Sequence, residues 1–310
     1  MQNVSFRQLR AIIAVDRLGR VSLAARALGL TAPAVTLQVQ QAEKAAGIVL
    51  FERRVEGIRA TDAGRAFIAA AKDIERRLTL LGDELLAIKG AGQGSVRLGA
   101  VSTAKYFVPR LIGGFGEVHP GISLRLTIGN RAAIIAALND QEIDFALKGR
   151  PPRQAEVNTA LIGDHPLVII AAPDHPLAGK AKIGKARLAG ETFLVREPGS
   201  GTRMSFELFL GDVPGRRDTL DAEFGSNETI KQAVMAGMGL AFISAHTIAL
   251  EVELGRLAVL DVVGTPVIRQ WFVVSRADRQ TSPAMAVFKS FAVTRGESFL
   301  PELKVSSDRP

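Results

Sequence analysis

The feature that most constrains this chain is the stretch from Val21 to Val39, where two helices are punctuated within one short turn. Ser22 is placed to cap a short helix whose apolar residues are Leu23, Ala24, Ala27 and Leu28. Gly29 closes that helix, since glycine accepts the left-handed backbone that ends helices. Thr31 caps a second helix, and Pro33 falls in its first turn, where a missing N–H costs nothing. Val35, Val39 and Ala42 keep an inward stripe at helical spacing. That leaves Thr36, Gln38, Gln40 and Gln41 mainly on other faces, polar and short enough to approach base edges. The pattern is a helix-turn-helix with its reading helix over Thr31 to Ala45. Any small helical corner uses the same caps, so the surroundings must decide between the two.

Two short extended pieces, Leu50 to Arg54 and Ile58 to Thr61, flank Glu56-Gly57 and signal a hairpin. They read as a wing, with Arg53 and Arg54 placed to meet phosphates, the contacts that position a protein while base contacts specify its site. Up to Asp62 there are nine Lys or Arg against five Asp or Glu, half of the formal charge of +8 carried by all 310 residues. The excess sits where DNA would lie.

Thr61 is a good N-cap for a helix running to about Lys89, with Asp62 favourable in its first turn. Its apolar positions Phe67, Ile74, Leu78, Leu81, Leu85 and Ile88 follow gaps of seven, four, three, four and three, a heptad seam. Such a rod is roughly 42 Å long. It either lies on a globular core or pairs with a second copy; a wing before it and glycines after it favour pairing. Two-fold pairing sets two reading helices on a roughly palindromic site. Gly90, Gly92 and Gly94 then form a joint. The expected domains are a winged head at 1–61, a dimerising linker helix at 62–90, and an α/β domain at 91–310. That domain divides into lobe I (about 91–162 plus 268–310) and lobe II (about 163–267).

Beyond Ser95 short β runs alternate with helices, implying a mainly parallel sheet. Strands are expected at 96–101, 122–128, 143–147, 167–171, 192–196, 221–224, 240–243 and 270–274. Helices are expected from Ser102 through Phe115 and at 132–139, 202–209, 227–235 and 283–293. Two such lobes describe a bilobed ligand trap. Three strand-to-helix corners, at Ser102-Thr103, Ser200-Gly201-Thr202 and Ser226-Asn227-Glu228, offer helix N-termini, which suit anions. Ligands of open α/β sheets sit at such carboxyl strand ends. With Lys148, Arg150, Arg196 and Arg203 close by, these residues are the candidate site for a small anionic ligand.

Other classes find little support. No run approaches eighteen apolar residues, so no membrane span is expected, and the N-terminus lacks a signal-peptide pattern. The absence of cysteine fits the cytosol. His119, His165, His175 and His246 share no ligand spacing, so no metal site is expected. Gly199-Ser200-Gly201-Thr202 lacks a nucleophile elbow, and Gly237-Met238-Gly239 leaves a helix rather than entering one; no catalytic residue is assigned. A solute-binding protein would use the same lobes, but the basic head and missing export signal argue against it.

The order of parts resembles the LysR-type transcriptional regulators over the whole chain. The resemblance rests on Phe6 to Leu9, Ala24 to Leu28, Thr31 to Thr36, Leu50 to Arg53 and Thr61 to Gly64. It implies a winged helix-turn-helix, a dimerising linker helix and a periplasmic-binding-protein-like effector domain, assembled as homotetramers in the cytoplasm. It places Thr31, Pro33, Ala34, Thr36 and Gln38 near the major groove, with Ser22 on the DNA side and Arg53 and Arg54 on the backbone. The segments Arg196 to Arg203, Gly225 to Val234, Phe242 to His246 and Arg269 to Val274 are similar to one branch, the Calvin-cycle (RuBisCO) operon regulators, or CbbR. That branch implies no cofactor and an effector such as ribulose bisphosphate, phosphoenolpyruvate or NADPH; a regulator of another pathway sensing a different organic acid is the alternative. Ala42 and Ala46 stand where the family commonly has leucine, so neighbouring side chains must fill that space.

Overall fold

A computed structural model describes residues 4–55, 57–88, 92–149, 156–211, 213 and 217–303. The chain divides into two compact units, Met1–Ile88 and Lys89–Pro310.

The first unit runs α1 (Phe6–Leu18), α2 (Val21–Leu28), α3 (Ala32–Ala46), β1 (Phe51–Arg54), β2 (Gly57–Ala60) and α4 (Asp62–Ile88). Ser5 and Gln8 form a reciprocal capping box on α1. Gly29 ends α2 at φ +66°, and the Thr31 hydroxyl accepts the Ala34 N–H at 3.3 Å to start α3. Ser22 does not cap α2. Its N-cap is Arg20, without a side-chain bond, and Ser22 is exposed inside the first turn. Starting the helix at Val21 brings that side chain onto the head's core, and this burial outweighs a cap worth about 1 kcal/mol.

Two clusters fill the head: Ala11, Ala14, Val15, Ala24, Ala25 and Val35, then Ile12, Ala42, Leu50, Ala60 and Ile68. Phe67, Phe51 and Val39 pack against the second cluster, around Ala42. Phe67 was expected on the heptad seam; it belongs instead to the head's core. The start of α4 therefore does have a core to lie on, and Lys72–Asp16 (3.7 Å) and Arg10–Glu75 (3.0 Å) tie it to α1. Thr61 caps it, accepting the Gly64 N–H at 2.9 Å. A Cβ at Gly64 would lie 2.0 Å from the Leu50 carbonyl oxygen, so only glycine lets the wing meet this helix. Farther along, Ile74, Leu78, Leu81 and Leu85 are exposed; the side chain of Ile88 lies outside the described residues.

The second unit begins with β3 (Gly94–Val101), α5 (Val108–Val118), β4 (Ile122–Gly129), α6 (Arg131–Asn139), β5 (Phe145–Lys148) and β6 (Val157–Ala171). It continues with β7 (Thr192–Arg196), α7 (Gly201–Leu210), β8 (Arg217–Phe224), α8 (Asn227–Met235) and β9 (Leu240–Ser244). The last elements are α9 (Ala249–Glu253), β10 (Ala258–Leu260), β11 (Val267–Arg276) and α10 (Pro283–Arg295). One sheet threads both lobes in the order β4-β3-β5-β11-β6-β9-β7-β8, with β10 on β6. Within each lobe the pairs are parallel, β3 with β4 and β5, β7 with β8 and β9. The joints are antiparallel, β11 with β5 and β6, and β6 with β9.

That corrects the mainly parallel expectation: the crossing strands must return, and a return strand pairs antiparallel. The expected strand at 167–171 is the far end of the fifteen-residue β6, about 50 Å long. The helix expected from Ser102 is divided, into a 3-10 turn at Ser102–Tyr106 and α5. Pro109 cannot continue a helix that began a full turn earlier, but it fits the first turn of a new one.

Lobe I has a core of Leu98, Phe107, Phe115, Trp271 and Phe288, with a second layer under α6. Lobe II is likewise packed on both faces, around Phe193, Phe206 and Phe242 on one and Ile170, Val234 and Ile243 on the other. Among the described residues no helix is long and apolar enough to cross a membrane.

Candidate nucleic-acid interface and ligand cleft

On the head, α3 presents Pro33, Leu37, Gln40, Gln41 and Lys44 as exposed residues, with Thr31 exposed at its start. Ala34, Thr36 and Gln38 are half-buried. The Thr36 hydroxyl donates to the Ala32 carbonyl at 3.0 Å, leaving its oxygen to accept. Gln8 donates to the Gln41 side-chain oxygen at 3.1 Å, pinning α3 to α1. Arg53 and Arg54 are exposed on the hairpin, Arg54 bonded to Glu52 at 2.7 Å. Glu43, which sequence reasoning passed over, accepts the Leu50 and Phe51 N–H groups at 2.8 and 3.2 Å and holds the wing's entry. A helix with an exposed polar and apolar face, flanked by surface arginines, has the parts of a groove-reading module.

In the second unit a cleft of about 820 Å³, counting its open mouth, lies where the strand ends of the two lobes meet. Six of the expected residues line it: Ser102, Thr103, Lys148, Arg196, Ser200 and Thr202. Arg131, His165, Arg269, Trp271 and Glu197 also line it, and the sequence had not singled them out.

Lys148, at the end of β5, is 2% exposed, and its ammonium has no hydrogen-bond partner among the described residues. Burial lowers its pKa to about 8, helped by the neighbouring charge of Arg131. The Arg269 Nε and His165 Nε2 atoms are also buried and unbonded among the described residues, and these two residues face each other across the β6–β11 ladder. Burial, with His246 and Arg269 nearby, lowers His165 to about 3, so it is neutral. Its ring stacks on Trp271 at 4.1 Å, whose Nε1 donates to His246 at 3.1 Å. Each unsatisfied buried polar group costs about 1–3 kcal/mol. Lysine and arginine only donate, so an anionic acceptor answers both at once. Opposite them, Ser200 starts α7 without a side-chain cap, leaving first-turn N–H groups for an acceptor.

Arg196 plays a different part. Its Nε and Nη2 bond Glu197 at 2.7 and 2.8 Å, and its Nη1 bonds Asn227. Its charge is thus neutralised from within. Asn227 does not line the cleft; buried behind it, it donates to Thr103 of lobe I at 3.1 Å. Glu228 also lies off the cleft and accepts the Tyr106 hydroxyl at 2.6 Å. Burial pushes the Glu228 carboxyl up, but Tyr106, Lys231 and Lys105 outweigh it and hold it below the usual range. Burial and Glu228 push the Tyr106 phenol well up. Asn227 and Glu228 therefore join the lobes rather than face a ligand. Arg203 is outside the lining as well, bonded to Glu207 at 2.9 Å and the Arg196 carbonyl at 3.1 Å. Arg150 lies outside the described residues.

Residues 6–65 match the model of the bacterial regulatory helix-turn-helix proteins of the lysR family, and residues 89–297 match the LysR substrate binding domain. The HTH-type transcriptional regulator CbbR of Rhizobium meliloti is 57% identical over 301 residues, covering 97% of this chain and 96% of the relative. The RuBisCO operon transcriptional regulator of Allochromatium vinosum is 43% identical over 292 residues, 94% of this chain and 96% of that one. Among solved structures, the regulatory domain of Synechocystis CcmR in complex with 2-PG (2-phosphoglycolate) is 39% identical. It covers 65% of this chain and 96% of its own, with a TM-score of 0.60.

Proposed function

The chain belongs to the LysR family of DNA-binding transcriptional regulators, and from that premise we propose that it activates carbon-fixation genes on binding a phosphorylated or otherwise anionic metabolite between its lobes. It is a regulator and not an enzyme. The carbon-fixation reading is supported by the relatives' names, which include a RuBisCO operon regulator matched over nearly its whole length. The ligand class is carried by one observation: Lys148 and Arg269 both line one cleft, and the buried Nζ of the first and Nε of the second have no acceptor among the described residues. That the similar CcmR domain was solved with 2-PG, a small phosphorylated carboxylate, agrees in charge and size. Ribulose bisphosphate, phosphoenolpyruvate and NADPH share the phosphoryl groups such a site suits.

In this reading the protein works in the cytoplasm as a homodimer through the exposed Ile74, Leu78, Leu81 and Leu85 of α4, and dimers pair into tetramers. A ligand shifts such an assembly only by its difference in affinity for two lobe arrangements. Closure would reset the spacing of the DNA heads and so the bend of the promoter.

The test is calorimetric titration of the full-length protein with 2-phosphoglycolate, ribulose bisphosphate, phosphoenolpyruvate and NADPH, beside footprinting on a RuBisCO promoter. At least one anion should bind, lose its heat in Lys148→Met, and move the footprint. Equal binding of uncharged sugars, or an unaltered Lys148→Met titration, would refute the ligand class; an unprotected promoter would refute the target.

A further inference from the structure

Leu37 is 51% exposed although it sits in the middle of the reading helix. It shares the outward face of α3 with Pro33, Gln40, Gln41 and Lys44, at steps of three, four or seven residues. Val35, Val39 and Ala42 point the other way, into the head's two clusters. Pro33 and Leu37 are four apart, so they form a short apolar ridge on the N-terminal half of the helix. That half is where a helix-turn-helix meets base edges.

The polar side chains beside the ridge are less free than the sequence implies. Thr36 is half-buried and donates to the Ala32 carbonyl at 3.0 Å, Gln38 is half-buried, and Gln41 accepts from Gln8 at 3.1 Å. The outermost surface of the first two turns is therefore hydrocarbon. In the major groove one feature matches hydrocarbon, the C5-methyl of thymine; the other base-edge groups there are donors and acceptors. A leucine laid on those would strip them of water without replacing its hydrogen bonds.

We propose that Leu37, backed by Pro33, reads a thymine methyl group in each half of the operator and so is a specificity-determining residue of this head. The assignment rests on α3 lying in the major groove. Removing one methyl from such a contact should cost about fourfold in affinity, and placing cytosine there, with its amino donor, about tenfold or more.

The experiment selects duplexes from a randomised pool with the full-length protein at fixed ionic strength. The selected site is then resynthesised with dU for one dT at a time, a change that removes only the methyl. The wild type should lose about fourfold at one dT per half-site and nowhere else. Leu37→Ala should bind the dT and dU duplexes alike and select a site with that position relaxed. Leu37→Met, still apolar, should keep the dU penalty. Because Leu37 is exposed, melting temperatures should match. A dU penalty that survives in Leu37→Ala, or a wild type indifferent to every dU, would overturn the assignment alone. A wild type that enriches no sequence would overturn the groove placement beneath it.

Discussion

The two units carry the same kind of charge in opposite ways. Among the described residues of the head no lysine or arginine is buried, and Arg7, Arg20, Arg26, Arg53, Arg54 and Arg59 are all exposed. The second unit buries Lys148, Arg196, Lys231 and Arg279. A surface cation attracts a polyanion over a distance, and salt screens it. A buried cation costs free energy until it meets an anion, so it must either bring a partner with it or take one from a ligand. In the second unit Arg196, Lys231 and Arg279 have carboxylates of the protein itself, while the Lys148 ammonium has no hydrogen-bond partner among the described residues. On the proposed reading, the head uses charge to reach any DNA, and the cleft uses it to choose a ligand.

The sharpest separation of the two units should come from acid. All four histidines lie beyond residue 88. Burial holds His165 at about 3 and His246 at about 4, against 6.5 when unfolded. The unfolded state binds protons that the folded state refuses, so stability is complete above about pH 6.5 and falls as the pH drops toward 4. At pH 5 each histidine costs about 2 kcal/mol, which lowers the melting point of the second unit by roughly 10 °C. The head has no such group. Differential calorimetry at pH 7 and pH 5 should show the two transitions moving apart; equal shifts would dissolve the contrast.

Two buried lysines sharpen it further. The Lys231 ammonium meets Glu251 at 2.5 Å, Glu228 at 3.2 Å and the Thr247 carbonyl at 2.9 Å. Lys231→Met takes the buried cation from the partly exposed Glu251 and leaves the Thr247 carbonyl without that donor, and should cost about 2–3 kcal/mol of stability, read as denaturant midpoint. Lys148→Met strands nothing, so its midpoint should hold or rise. Its effect belongs to the ligand: a charge-assisted hydrogen bond is lost and anion affinity should fall about 10- to 100-fold. In the unaltered protein the same affinity should decline as pH rises through 8, where Lys148 loses its proton. If both variants destabilise alike, Lys148 is a structural lysine and the cleft reading fails.

The same division explains what could be read from sequence. The head is written in local chemistry. Gly29, Thr31, Pro33 and Thr61 act within one turn of where they stand, while Ser22 and Phe67 misled, because tertiary contacts decided them: Val21 outbid the Ser22 cap, and Phe67 packs against the head's second cluster. Half of the cleft is local too: Ser102, Thr103, Lys148, Ser200 and Thr202 sit where strands end and helices begin. The other half is not. His165 and Arg269 become neighbours through the antiparallel register of β6 and β11, a pairing over a hundred residues apart that no local pattern states. Arg203 and Glu228 were near the cleft in sequence but bond elsewhere in space. Charge near a corner was legible; which charge lacked a partner was not.

The smallest effect tests the head's side of the comparison. Arg53 is exposed on the wing, and no hydrogen bond or ion pair of its side chain is seen among the described residues. If it serves only to neutralise a phosphate, Arg53→Ala should weaken every duplex by the same modest factor. The slope of log affinity against log salt should fall by about one. Sequence preference, anion affinity and melting temperature should all stay where they are. This pattern is the inverse of that expected for Lys148→Met, which should alter ligand choice and leave the salt dependence of DNA binding untouched. A variant that changed base preference would mean that the wing reads sequence, and that exposed charge in this head does more than attract.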